Sequence, residues 1–238
     1  SHDLEKLIME VISCFKNNGS LFYIGSGTSG RLGVLDAAEC PPTFGTDPLM
    51  VQAIIAGGSK AVFQSVEGAE DSLKEGRRVV VEKKINNRDI VIGVSASGTT
   101  PYVLGGLEKA NEVGAKTALI QCNLSDKKKY IDHYINIIVG PEIVSGSTRM
   151  KAGTATKMIL NMITTISMIK INKTHGNIMT DLKTANNKLL NRGIRIISEI
   201  LSVDELDAVY VGPSDLAVTM GYVPGAYEKE VEDCISYI

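Results

Sequence analysis

The sequence lacks several features that define a class of protein at once. Its four cysteines are scattered without a CxxC pair, and His133 and His175 have no metal-ligand spacing. We therefore expect reduced thiols, no disulfide framework and no metal site. There is no signal peptide and no long apolar run, which favours a cytoplasmic protein. A net charge of -2 gives no argument for binding to nucleic acid or to a membrane surface.

The stretch from Leu21 to Glu39 carries the clearest local pattern. Leu21–Ile24 reads as a buried strand, Gly25–Gly30 (GSGTSG) as a tight turn, and the residues that follow as a helix. Glycines let the backbone approach a ligand closely, and free N–H groups at a helix N-terminus favour anions. This stretch therefore predicts an anion site, in which the hydroxyls of Ser26, Thr28 and Ser29 suit a phosphate or a sugar.

The same turn matches the G-x-G-x-x-G pattern of dinucleotide-binding proteins, which is weak by itself. A nicotinamide site also needs an acidic residue at the end of the second strand, to hold the ribose. Here the second predicted strand, Val51–Ala56, runs into Gly57-Gly58 and offers no acid. We therefore disfavour a dinucleotide and expect no organic cofactor.

Strands and helices alternate along the chain, which predicts an α/β fold with a parallel sheet and helices on both faces. The five predicted strands are Leu21–Ile24, Val51–Ala56, Asp89–Ser95, Lys116–Cys122 and Tyr134–Val139. The predicted helices are Asp3–Asn18, one that ends at Pro41-Pro42, Ser59–Glu82 with a break near Gly68, one that starts at Pro101, Thr148–Lys170 and Thr180–Leu201. In the helix Thr148–Lys170 we expect Met158, Met162 and Met168 to belong to the core.

A second hydroxyl-rich turn, SASGTT, follows the third strand and resembles the first turn. Ligands of such sheets bind at the carboxyl ends of the strands. Two similar turns in equivalent positions therefore predict one shared phosphosugar site, although each could simply cap its helix. The second turn contributes the candidate residues Ser95, Ser97, Thr99 and Thr100.

Two glutamates are candidates for proton transfer. Glu39 precedes Pro41-Pro42 at the expected end of a helix, where the helix dipole favours a neutral carboxyl and so a general acid. Glu70 lies in an acidic cluster, VEGAED. Glu39 is ten positions after Ser29, or about 15 Å along a continuous helix. Either the second turn holds the phosphate, or Glu39 serves the site of a neighbouring subunit, which predicts a composite site in a dimer.

Several long motifs together resemble one family. The segments GSGTSGRLGVLDAAECPPTFG, EGAEDS, SASGTTPYV and SGSTRMKAGTATKMILNM are similar to the N-acetylmuramic acid 6-phosphate etherase family, whose members have a sugar isomerase (SIS) domain. The resemblance extends from about residue 4 to residue 201. It implies a three-layer α-β-α SIS domain with a five-stranded sheet and C-terminal helices.

The resemblance also implies a reaction. A lyase of this family cleaves the D-lactyl ether of N-acetylmuramic acid 6-phosphate, giving N-acetylglucosamine 6-phosphate and D-lactate, by elimination and then hydration. It uses no metal or organic cofactor, acts in peptidoglycan recycling and tends to dimerise. The family's acid matches Glu39 and its second catalytic glutamate, the base, matches Glu70. The binding hydroxyls match those of the two turns, and Lys151 in RMKAGT is a further candidate for contact with an anion, near the start of a helix.

The resemblance ends near residue 204. The segment DAVYVGPSDLAVTMGY instead looks like a fragment of the HpcH/HpaI-type aldolases, in which Asp215 would be a metal ligand. One ligand does not make a site. We therefore predict two parts, a SIS domain with C-terminal helices at residues 1–203 and an atypical tail at 204–238 without aldolase activity.

Two other functions are compatible with these motifs. One is a sugar-phosphate-binding regulator without catalysis, since the glucokinase regulatory protein resembles the same family. The other is an aldose–ketose phosphosugar isomerase on the same fold. The presence of both Glu39 and Glu70 favours the lyase.

Overall fold

The computed structural model describes residues 2–180 and 187–202. The chain divides into two units, Ser1–Thr180 and Asp181–Ile238. The described part of the first unit contains the main sheet, six α-helices and one 3₁₀ turn. The described part of the second unit contains helix α7 (Asn187–Leu201). The expected domain boundary at residue 203 lies outside the described residues, as does Asp215, the single match to an aldolase metal ligand.

The elements of the first unit alternate as the sequence pattern predicts. The strands are β1 (Leu21–Gly25), β2 (Val51–Ile55), β3 (Ile90–Val94), β4 (Lys116–Gln121), β5 (His133–Asn136), β6 (Thr174–His175) and β7 (Ile178–Met179). The helices are α1 (His2–Lys16), α2 (Gly27–Phe44), α3 (Lys60–Phe63), α4 (Leu73–Glu82), α5 (Pro101–Glu112) and α6 (Lys151–Lys170), with a 3₁₀ turn at Ala69–Asp71.

The main sheet has five parallel strands in the order β2-β1-β3-β4-β5. The chain leaves β1 toward β2 and then crosses back to β3 on the other side of β1. This reversal creates a switch point between β1 and β3, where open α/β sheets bind their ligands. The predicted α/β class and the parallel sheet are confirmed.

Helices cover both faces of the sheet, so its central strands are buried on both sides. Leu21 and Tyr23 of β1 belong to the core beneath α1, α2 and α6, whereas Phe22 and Ile24 belong to the core beneath α4 and α5. Successive side chains of a strand point to opposite faces. A strand that is buried on both faces therefore reads as a continuous apolar run, as LFYI does.

Helices α4 and α5 pack closely because glycines face the contact. A Cβ added to Gly76 would lie 1.9 Å from the carbonyl oxygen of Tyr102. At the edge of the contact the Arg77 guanidinium bonds to Glu108 and Glu112, at 2.6 and 2.7 Å. These groups are partly exposed, so the ion pairs add little to the stability of the packing.

Helix α2 does not end at Pro41-Pro42, contrary to the prediction, but continues to Phe44 and stops at Gly45, whose φ is 62°. A proline removes the donor for the carbonyl four residues earlier and its ring crowds that carbonyl, but its own φ suits a helix. The two carbonyls concerned belong to Ala37 and Ala38. Ala38 and Pro42 lie on the exposed side of the helix, where water can replace the missing donors.

Other differences concern short elements and one helix face. The expected helix Ser59–Glu82 is helical only in α3, the 3₁₀ turn and α4, and Gly68 adopts a φ of 71°. The hairpin of β6 and β7 was not predicted. Met168 is buried as expected, but Met158 and Met162 are 55% and 40% exposed, so their assignment to the core was wrong.

Candidate active site

The two hydroxyl-rich turns lie side by side at the switch point. β1 and β3 pair in register, with Gly25 opposite Val94, so the turns that follow these strands start from adjacent positions. One turn leads into α2 on one face of the sheet and the other into α5 on the opposite face. The structure thus brings together the two turns that the sequence singled out.

The first turn leaves the N-terminus of α2 without a side-chain cap. Ser26 occupies the N-cap position, yet its hydroxyl makes no cap hydrogen bond and instead donates to Oε2 of Glu70 at 2.8 Å. Thr28 and Ser29 lie half-buried in the first helical turn. Uncapped N–H groups at the positive end of a helix are suited to an anionic ligand.

The second turn is a network of hydroxyl groups. The buried Ser95 hydroxyl contacts the hydroxyls of Thr100 and Ser97, at 2.8 and 3.3 Å. Thr99 donates its hydroxyl to that of Ser97 at 3.0 Å, and both side chains are exposed. Gly98 holds the bend with a φ of 74° and donates its N–H to the Ser95 hydroxyl at 3.1 Å. The four candidate residues therefore form one group.

Glu70 joins the first turn through the hydrogen bond to Ser26. It lies on the 3₁₀ turn, is exposed, and lines a cavity of about 110 Å³ together with Ser26, Arg31 and Glu67. Sequence separation gave no reason to expect this contact, since Ser26 and Glu70 are 44 positions apart. A carboxylate beside such a turn is placed to exchange a proton with a ligand bound there.

Glu39 lies away from this group. α2 is continuous from Ser29 to Glu39, which separates them by about 15 Å along the helix axis. Glu39 is exposed and lines a different cavity, of about 390 Å³, with Lys157 of α6. It is also five residues before the end of α2 at Phe44, so the expected placement at a helix C-terminus was wrong, and the dipole is weak at this distance.

Below Glu39 is a buried carboxylate that the sequence analysis missed. Asp36 is 3% exposed and accepts hydrogen bonds from the Tyr23 hydroxyl at 2.8 Å and the Asn161 amide at 2.6 Å. The Thr164 hydroxyl donates a third at 3.0 Å. Burial and the Asp36 carboxylate together raise the pKa of Tyr23 well above its ordinary value. This network connects β1, α2 and α6, and it forms one wall of the cavity that contains Glu39.

Burial also affects the thiol next to this network. It raises the pKa of Cys40 to about 12, and the nearby Asp36 carboxylate adds to the effect. Cys40 is therefore a neutral packing residue at physiological pH. Its place beside the Glu39 cavity gives it no role as a nucleophile.

Lys151 opens α6 at a helix N-terminus that already carries a carboxylate. Its N–H and that of Ala152 donate to Glu142, at 3.0 and 2.9 Å, and its Nζ donates to the carbonyl oxygen of Pro141 at 2.8 Å. The start of α6 approaches the first turn, since a Cβ added to Gly153 would lie 3.8 Å from Cγ2 of Thr28. Lys151 as an anion contact stays a prediction, and Glu142 is a second residue that the sequence analysis missed.

The described residues contain no group of three or more His, Cys, Asp or Glu side chains arranged to hold a metal ion. In the same part of the chain, no helix combines the length and the hydropathy needed to cross a bilayer.

Comparison with curated proteins gives a consistent result. The chain is 50% identical over 213 residues to an N-acetylmuramic acid 6-phosphate etherase of Clostridium acetobutylicum, which covers 87% of this chain and 69% of the relative. It is 54% identical over 197 residues to N-acetylmuramic acid 6-phosphate etherase 2 of Enterococcus faecalis, covering 82% of this chain and 67% of the relative. The chain belongs to the N-acetylmuramic acid 6-phosphate etherase family. Residues 3–111 also match the model of the glucokinase regulatory protein N-terminal SIS domain.

Solved structures share the fold at lower sequence identity. A Bacteroides fragilis protein described as a phosphosugar isomerase involved in capsule formation superposes with a TM-score of 0.54 at 16% identity, covering 74% of this chain and 87% of that one. A phosphoheptose isomerase of Francisella tularensis superposes with a TM-score of 0.50 at 11% identity, over 71% of this chain and 86% of that one. These likenesses concern the fold alone.

Proposed function

We propose that this protein is a lyase that cleaves the D-lactyl ether of N-acetylmuramic acid 6-phosphate to N-acetylglucosamine 6-phosphate and D-lactate. The observation that carries the proposal is the contact between Glu70 and the first phosphosugar turn, in a chain that is 50% identical to a curated etherase. The substrate is a phosphorylated amino sugar, bound through the hydroxyls of both turns. The reaction needs proton transfers, which carboxylates can provide without a cofactor.

The roles of the two glutamates follow from their positions. Glu70, beside the sugar turn, removes the proton at C2 of the opened sugar. Lactate then leaves C3 and takes a proton from Glu39, and water adds to the unsaturated intermediate. Glu39 is about 15 Å along α2 from the first turn, and we therefore propose that it acts in the site of a second subunit.

A homodimer with composite sites is part of this proposal. The surface near Glu39 supports it, because Leu35, which lines the Glu39 cavity, is 45% exposed, and Met158 and Met162 of α6 are 55% and 40% exposed. Exposed apolar side chains on the two packed helices α2 and α6 fit a contact between subunits. The cytoplasm is the expected location, since the buried cysteines Cys14, Cys40 and Cys122 are free thiols.

The test measures D-lactate release from N-acetylmuramic acid 6-phosphate together with exchange of the C2 proton in deuterated water. Glu70→Gln should lose both activities, because no base remains at C2. Glu39→Gln should lose lactate release by about 100-fold or more and keep C2 exchange, because proton removal precedes departure of lactate. Full lactate release by the Glu39→Gln variant would refute its role as the acid.

A mixture of the two variants tests the composite site. After coexpression, a dimer that shares Glu39 across the interface has one site with both glutamates intact. Because about half of the dimers are mixed and each has one such site, about one quarter of the wild-type activity should return. No recovery in dimers shown to be mixed would place Glu39 in the site of its own chain.

The same assays separate the other functions. Binding of N-acetylglucosamine 6-phosphate without turnover would indicate a sugar-phosphate-binding regulator, for which the partial match to the regulatory-protein model is the only support. Conversion of an aldose phosphate to a ketose phosphate would indicate an isomerase.

A further inference from the structure

Arg31 lines the cavity that contains Glu70. It follows the first turn directly on α2 and is half-buried. Its Nε donates to the carbonyl oxygen of Val62 at 3.0 Å, which fixes the plane of the guanidinium. The cavity, of about 110 Å³, also includes the carboxylates of Glu67 and Glu70. A cation thus stands beside the proposed base.

The guanidinium of Arg31 forms no ion pair with any residue that the structure describes. The two carboxylates that line the cavity with it bond to hydroxyls instead, Glu70 to Ser26 and Glu67 to Ser65, each at 2.8 Å. Arg78, which is more exposed, pairs with two glutamates. The terminal amino groups of Arg31 therefore remain available to a ligand in the cavity.

The substrate of the proposed lyase carries two anionic groups. The 6-phosphate suits the hydroxyls and N–H groups of the two turns. The second group is the carboxylate of the lactyl ether at C3, the carbon next to C2, where Glu70 acts. That carboxylate would be repelled by Glu67 and Glu70 unless a cation compensated for them.

We propose that Arg31 binds the lactyl carboxylate and so selects ethers that carry this acid. A guanidinium offers two parallel N–H donors that match the two oxygens of a carboxylate. This inference rests on the proposed function, because it assigns the part of the same site that recognises the leaving group. Arg31 is then a specificity residue, and the bases and acids of the reaction remain Glu70 and Glu39.

The experiment compares two substrates that differ only in the carboxylate. One is N-acetylmuramic acid 6-phosphate, and the other is 3-O-ethyl N-acetylglucosamine 6-phosphate, in which hydrogen replaces that group. Arg31→Gln should lower the specificity constant for C2 proton exchange of the lactyl ether about 10- to 100-fold, the usual loss for a hydrogen bond to a charged group. The same substitution should change the specificity constant for C2 proton exchange of the ethyl ether by less than about threefold. For the lactyl ether, the specificity constant of Arg31→Lys should lie between those of Arg31→Gln and the wild type.

Arg78→Gln serves as the matched control, since it removes the same charge from α4 outside this cavity and should leave both substrates unaffected. An equal loss on both ethers would overturn the proposal, because it would indicate a structural or phosphate-binding role for Arg31. No loss on either ether would also overturn it. Wild-type protein that exchanges C2 of the lactyl ether but does not release lactate would refute the proposed function and leave the assignment of Arg31 testable.

Discussion

Replacement of Asp36 by alanine should destabilise this protein more than any comparable change at its surface. The Asp36 carboxylate is 3% exposed and accepts three side-chain hydrogen bonds, from Tyr23, Asn161 and Thr164. Two of these donors, Tyr23 and Thr164, are themselves 1% and 2% exposed. In Asp36→Ala the Tyr23 hydroxyl loses its acceptor and has no access to water, whereas the Thr164 hydroxyl retains the carbonyl oxygens of Leu160 and Asn161, each at 3.3 Å.

The size of the loss follows from those contacts. Each buried donor left without an acceptor costs about 1 to 3 kcal/mol. Asn161 is half-buried and can bond to water, and Thr164 keeps two carbonyl acceptors, so we count Tyr23 alone and expect a loss of about 1 to 3 kcal/mol. For a domain of this size, that corresponds to a decrease in Tm of roughly 2 to 12 °C. Asp36→Asn keeps an acceptor and most of the shape and should lose less.

Urea denaturation followed by circular dichroism measures this difference. Asp47→Ala is the control, because Asp47 is exposed and accepts only the N–H of Leu49. It should change the free energy of unfolding by less than about 1 kcal/mol. If Asp36→Ala were as stable as Asp47→Ala, the buried network would not hold α2 to α6 as argued here.

Two further predictions concern the second turn and a buried thiol. Gly98→Ala should cost about 1 to 3 kcal/mol of stability and weaken N-acetylglucosamine 6-phosphate binding, because its φ is 74° and the added Cβ would lie 2.0 Å from Oε1 of Gln121. Gly140 has a φ of 72° with open space around it, so Gly140→Ala measures the backbone effect alone. Equal losses of stability in both variants would contradict the steric argument. The pKa of the Cys40 thiol is about 12 in the folded protein and about 8.5 in the unfolded chain. Its contribution to the free energy of unfolding is therefore complete below pH 8.5 and is lost as the pH rises toward 12. The urea midpoint should therefore fall less steeply above pH 9 in Cys40→Ala than in the wild type, and parallel slopes would show that Cys40 does not contribute.

The sheet and the two turns were predictable because their signals are local. Strands buried on both faces read as apolar runs, and the glycines and hydroxyls between strand and helix mark each turn. The order of the strands then places the turns after β1 and β3 next to each other. The end of α2 was not predictable in this way, because Pro41 and Pro42 remove two donors without forcing the chain out of the helix.

Contacts between distant segments gave no such signal. The bond between Ser26 and Glu70 depends on how the segment between β2 and α4 folds over the first turn, and that segment was expected to be a helix. The cation in the same cavity, Arg31, is visible in the sequence only as one more charged residue. Its lack of an ion pair among the described residues becomes evident once Glu67 and Glu70 have their partners.

Asp36 differs from these cases, because the sequence does contain a signal for its burial. The buried residues of α2 are Gly30, Gly33, Asp36, Cys40 and Phe44, at helical spacings of three and four. Small residues on either side of Asp36 bring this stripe close to the sheet, as a Cβ on Gly33 would lie 2.9 Å from that of Tyr23. A carboxylate on such a stripe must find donors inside the protein. Glu39, three residues later, lies outside the stripe and is exposed. The buried Asp36 therefore holds the helices together, whereas the exposed Glu39 is the residue proposed to act on the substrate.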